Sequence, residues 1–145
     1  MVDTEKLGLL GHSFGGAVGL SVSANQCLAL LCQEPFTRPP QLLAGAFFGA
    51  NLRDQVTGNF VSINNNGIEV ALLQGDRDGV ALFPRTEQTY NNIQSPPKLL
   101  LSVTGANHFG ITNINNPPGA QPVGLLTFGI VSFGYSVLKT KLLKR

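Results

Sequence analysis

Residues 11–15 read Gly-His-Ser-Phe-Gly, and this pentapeptide constrains the fold more than any other stretch of the chain. It is a G-x-S-x-G pattern lying between two contrasting segments. Residues 6–12 (KLGLLGH) form a short apolar run of the kind that makes a buried strand. Residues 14–32 contain no proline and no charge and are rich in small side chains, which predicts a helix packed closely on a sheet. The serine therefore falls on a sharp strand-to-helix turn, where a nucleophile is held in strained backbone and exposed. The flanking glycines are expected to remove side chains that would clash as strand and helix approach. The N–H of Phe14, at the positive end of the helix, is then the expected oxyanion donor.

Three further apolar runs follow. Residues 42–48 (LLAGAFF), 68–74 (IEVALLQ) and 98–104 (KLLLSVT) are predicted strands. Pro35 and Arg38-Pro39-Pro40 stop the first helix, and Asn64-Asn65-Asn66-Gly67 marks a turn in the polar stretch 51–67. A second helix is expected over 84–94, with Pro84 in its first turn and Ser95-Pro96-Pro97 ending it. Apolar strands alternating with helices or long crossovers predict an α/β fold with a mostly parallel sheet covered on both faces.

A nucleophilic serine needs a base, and the chain has two histidines. His12 adjoins Ser13 in the turn, so its side chain leaves on the other side and is expected to pack or hydrogen-bond beneath the site. His108 lies four residues past a predicted strand, in a glycine-containing loop where open α/β sheets carry their functional groups. The base needs an acid to fix its tautomer, and the turn after the third strand offers Asp76 and Asp78. Asp78 is favoured because it lies deeper in the turn and precedes Gly79. Asp76, beside Arg77 and nearer the strand, suits a turn or ion-pair role. Asp3, Glu5 and Asp54 read as solvated surface charges.

The segments VDTEKLGLLGHSFGGA, GAFFGANLRD, VALLQGDRDGVA and LLLSVTGANHFGITN together resemble the C-terminal half of an α/β-hydrolase. The likeness is to the dienelactone hydrolase, chlorophyllase and cutinase (polyester hydrolase)-like group, with platelet-activating-factor acetylhydrolase-like proteins as neighbours. It implies Ser13 as nucleophile, Asp78 as the last residue of a G-x-x-D turn (75–78), and His108 as the last residue of a G-x-x-H loop (105–108). The implied reaction is hydrolysis of carboxylic esters through an acyl-enzyme, with a small-molecule ester as substrate and no metal or organic cofactor. Such families carry a further N-terminal half with the early strands and a second oxyanion donor. Residues 1–120 are therefore expected to be the C-terminal half of a hydrolase domain and 121–145 an atypical tail. That expectation implies weak or no activity for the truncated chain alone. The alternatives are a non-catalytic fragment, half of a split hydrolase whose N-terminal half is a separate chain, or a small membrane-anchored protein.

Composition narrows the partners. The formal net charge is +2, but Lys139, Lys141, Lys144 and Arg145 supply four of the ten positive charges, so the body of the chain is net negative. No basic face for nucleic acid is expected. Cys27 and Cys32, five apart in one predicted helix, point to different faces and are expected to be two buried thiols, neither a disulfide nor a zinc site. The N-terminus lacks a basic segment followed by a long apolar stretch, so no signal peptide is predicted and a cytoplasmic location is the default. Val123 to Leu138 is a mostly apolar run of 16 residues ahead of a basic tail. It is shorter than the roughly 18 residues expected of a spanning helix, so membrane insertion is the disfavoured reading.

Overall fold

Each of the four strands predicted from the sequence is a parallel strand in the computed structural model, which describes residues 4–111. The elements are β1 (Leu7–His12), α1 (Phe14–Ser23), β2 (Leu42–Phe48), β3 (Glu69–Gly75), α2 (Phe83–Asn91) and β4 (Lys98–Val103). The four strands form one sheet in the order β1-β2-β3-β4, parallel throughout. This is the expected α/β fold. The domain boundary placed at 120/121 and the apolar run 123–138 lie outside the described residues. Among the described residues no helix is long and apolar enough to cross a membrane.

Strand alternation divides the core in two. Phe47 of β2 with Val70 and Leu72 of β3 faces one side, where Leu20 of α1 and Ile93, two residues past α2, join them in a single cluster. Leu52, Ile63 and Ile68, from the long crossover between β2 and β3, belong to it. The alternate residues Ala46, Phe48, Ala71, Leu73 and Val103 make a smaller cluster on the other side, with Ala106. The expectation of cover on both faces is not met by the described helices, and topology gives the reason. With the strand order stepping one way, right-handed crossovers put every connection on the same side. Leu10, in register with Ala46 on the second face, is 74% exposed.

Two further expectations are corrected. The first helix ends at Ser23, nine residues before the predicted 32. Asn25 takes a positive φ of 54°, its N–H donates to Val22 O, and the N–H of Gln26 donates to Ser21 O. These paired bonds are a Schellman termination, for which asparagine is the usual substitute for glycine. Because the helix stops there, Cys27 and Cys32 do not lie on opposite faces of it. They occupy an irregular segment with Cα atoms 5.5 Å apart, and their sulfurs are bonded as a disulfide.

Candidate active site

Because the strands are parallel, the loops leaving their C-terminal ends gather along one edge of the sheet. Ser13 follows β1, Gly49 follows β2, Asp78 follows β3 and His108 follows β4. Residues 95 positions apart in sequence thereby meet in space.

Ser13 stands at the N-cap of α1 with φ 55° and ψ −122°. A non-glycine residue there costs about 1–3 kcal/mol, held by the surrounding structure. Its N–H donates to Phe48 O at 2.9 Å, tying the turn to β2, and its own carbonyl accepts from Ala17 N–H at 3.0 Å, starting the helix. The turn is tight because strand and helix backbones touch. A Cβ on Gly11 would lie 2.6 Å from Gly15 O and 2.8 Å from Gly16 Cα, and one on Gly16 would lie 2.5 Å from Ala50 Cβ. The second glycine of the motif behaves otherwise, since a Cβ on Gly15 would have nothing within 4 Å. Close approach is thus carried by Gly11 and Gly16, not by both motif glycines. Phe14 is the first residue of α1, so its N–H has no intrahelical acceptor and lies at the positive end of the helix.

His108 is 6% exposed and Asp78 is 5% exposed. His108 Nε2 is 2.8 Å from Ser13 Oγ, and His108 Nδ1 is 2.8 Å from Asp78 Oδ2. The carboxylate settles the tautomer. Asp78 Oδ1 accepts from the N–H groups of Val80 and Ala81, each at 2.8 Å, and Oδ2 accepts from Gln74 Nε2 at 3.0 Å. An aspartate surrounded by donors acts only as acceptor, so His108 Nδ1 carries its proton toward Oδ2. The Nε2 lone pair then faces the serine hydroxyl. This is the arrangement in which an imidazole can take a proton from a nucleophile and remain oriented.

The two loops bearing Asp78 and His108 are stitched to each other. Asp76 Oδ1 accepts from Gly105 N–H at 2.7 Å, Asp76 N–H donates to Val103 O, and Arg77 N–H donates to Ala106 O. Asp76 therefore holds the loop and does not touch the histidine ring. His12 Nε2–H donates to the carbonyl of His108 at 2.7 Å, and the two rings lie 4.8 Å apart. Gly49, at φ 57°, packs against the pair; a Cβ there would lie 3.1 Å from both Asp78 Oδ2 and His108 Nδ1. Asp54 sits apart at the surface. It accepts from Val56 N–H and from the N–H and hydroxyl of Thr57, bonds that hold its carboxyl below the usual range. Among the described residues no three His, Cys, Asp or Glu side chains gather into a metal site.

Sequence reading did not single out Gln74 or Gly49. A glutamine that ends an apolar run reads as the end of a strand, and a glycine after a strand reads as a turn. Only their neighbours in space reveal what they touch.

No family model and no curated protein matches the chain. Among solved structures it is similar to the esterase domain of a Rhodothermus marinus protein. The identity is 20% and the TM-score 0.46, over 70% of this chain and 50% of that one. The chain thus spans about half the length of that domain.

Proposed function

We propose that the chain carries the catalytic residues of a serine hydrolase acting on carboxylic esters. The observation behind this reading is the unbroken polar line from Ser13 Oγ through His108 to Asp78, with both contacts at 2.8 Å. Ser13 Oγ attacks the ester carbonyl as His108 Nε2 takes its proton, and Asp78 steadies the imidazolium that forms. The Phe14 N–H donates to the oxyanion of the tetrahedral intermediate. His108 returns the proton to the leaving alkoxide, the alcohol departs, and the acyl group remains on Ser13. Water, deprotonated by the same imidazole, then attacks the acyl-enzyme and releases the acid. No proton is lost or gained over the cycle beyond the ionisation of the product acid.

Residues 4–111 name one oxyanion donor, and loss of one donor from such a site costs about 10²–10³ in rate. Covalent capture is therefore the more sensitive assay, because it needs one turnover. A fluorophosphonate probe is expected to label the folded protein at Ser13, with p-nitrophenyl butyrate hydrolysed slowly and Ser13→Ala inert in both assays. Failure of folded wild type to form the Ser13 adduct, or equal labelling of Ser13→Ala, overturns the reading.

A further inference from the structure

A second polar chain leaves Asp78 on the side away from His108. Gln74, on β3, is wholly buried. Its Nε2 lies 3.0 Å from Asp78 Oδ2 and 2.6 Å from the carbonyl of Ala81. Its Oε1 accepts from the hydroxyl of Thr86, on α2, at 2.7 Å. Thr86 is also wholly buried, and its Oγ1 lies 3.1 Å from Ala50 O. The amide can sit only one way round. Flipped, Oε1 would face Asp78 Oδ2 and the carbonyl of Ala81, an acceptor set against two acceptors with no proton between them.

Packing alone does not call for this amide. A leucine or methionine fills a similar volume without the desolvation of a polar group, which costs free energy unless every bond is remade. Here the bonds are remade, and one of them goes to the oxygen that receives the His108 proton. The backbone N–H groups of residues 80 and 81 hold only Oδ1. A carboxylate gripped at one oxygen can still rotate, and Gln74 grips the other.

We propose that Gln74 is a positioning residue for the Ser13, His108 and Asp78 site: its amide fixes Asp78 Oδ2 where His108 Nδ1–H meets it, and Thr86 locks the amide. The proposal rests on the catalytic reading of those three residues, but it makes a structural claim that can be read without turnover.

The test uses the full chain and three variants, each first checked for folding by circular dichroism. Gln74→Leu removes the donor, and its kcat on p-nitrophenyl butyrate is expected to fall about tenfold with KM little changed, the worth of one hydrogen bond to a charged group. Thr86→Val should move kcat the same way by a smaller factor. Gln74→Glu keeps the shape and can donate to Oδ2 only while protonated. A buried carboxyl beside Asp78 ionises in a raised range, so its activity relative to wild type should be highest at the acid end and fall as pH rises. The ratio is read only over the pH range in which circular dichroism shows the variant folded, so that loss of the fold is not counted as loss of the bond. The activity-independent readout is the His108 Nδ1–H proton resonance, expected in wild type and lost or broadened in Gln74→Leu. Wild-type kcat in folded Gln74→Leu, or a pH-independent ratio for folded Gln74→Glu, overturns the proposal. If Gln74→Leu does not fold, Gln74→Glu and Thr86→Val decide. If wild type forms no Ser13 adduct, the catalytic reading fails by itself. The resonance then judges Gln74: loss in Gln74→Leu supports the positioning role, and persistence at the wild-type shift overturns it.

Discussion

The turn at Ser13 and the Asp78–His108 pair are held in place by different physics. Around Ser13 the constraint is steric. Backbones of β1 and α1 approach closely where Gly11 meets Gly15 and Gly16, and Ser13 between them takes a positive φ. Around Asp78 and His108 the constraint is polar. Four donors converge on one carboxylate, and both loops are cross-bonded through Asp76, Arg77 and Gly105. The difference teaches where each half tolerates change. A steric turn fails when volume is added, whereas a polar pair fails when a donor, acceptor or charge is removed and the volume is kept.

The strongest way to break the contrast is to delete the group both halves serve. Ser13→Ala should lower kcat on p-nitrophenyl butyrate by at least about 10⁴-fold while leaving thermal unfolding near wild type. Asp78→Asn keeps the shape and an acceptor for the Val80 and Ala81 N–H groups, but presents the wrong partner to His108 Nδ1. A fall in kcat on the order of 10⁴ is expected, with an unchanged circular dichroism spectrum; unimpaired turnover would remove Asp78 from the pair.

The steric half is sharpened by two alanine substitutions in one motif. Gly11→Ala should cost about 1–3 kcal/mol in urea unfolding, because its Cβ meets backbone that cannot yield. Gly15→Ala, whose Cβ meets open space in the first turn of α1, should be neutral or stabilising by up to about 1 kcal/mol. Equal costs for the two would undo the distinction drawn between these glycines.

Gly49 belongs to both halves. Gly49→Ala places a methyl against the His108–Asp78 contact at a positive φ, and displacing the pair by a few tenths of an ångström should lower kcat on the order of tenfold. The smallest loss of kcat is expected from His12→Phe. It keeps a ring and deletes the bond to His108 O, worth about 1 kcal/mol or a fewfold loss in kcat.

Legibility from the sequence follows the same division. The span predicted for β2, 42–48, is the span observed, because a run of apolar residues bounded by Pro40 and Gly49 allows little else. The Ser13 turn was readable because its strand, glycines and helix are consecutive. The end of α1 is not legible at Asn25, since asparagine becomes a helix stop only when its backbone turns left-handed. The Cys27–Cys32 disulfide is illegible for the same reason, because only the shortened helix permits the pairing. Gln74 and Thr86 carried no local signal at all.

By itself, then, the sequence determined the four apolar strands, the strand–turn–helix around Ser13, and the loops on which Asp78 and His108 had to lie. These are consequences of periodicity and of steric limits between near neighbours in the chain. Tertiary structure decided the rest: that both described helices cover one face, that Asp76 ties the two loops together, and that a buried glutamine on β3 lies between Asp78 Oδ2 and a threonine on α2. Hydrogen bonds between residues 12 to 96 positions apart leave no period in the sequence, because only the folded sheet brings their partners within 3 Å.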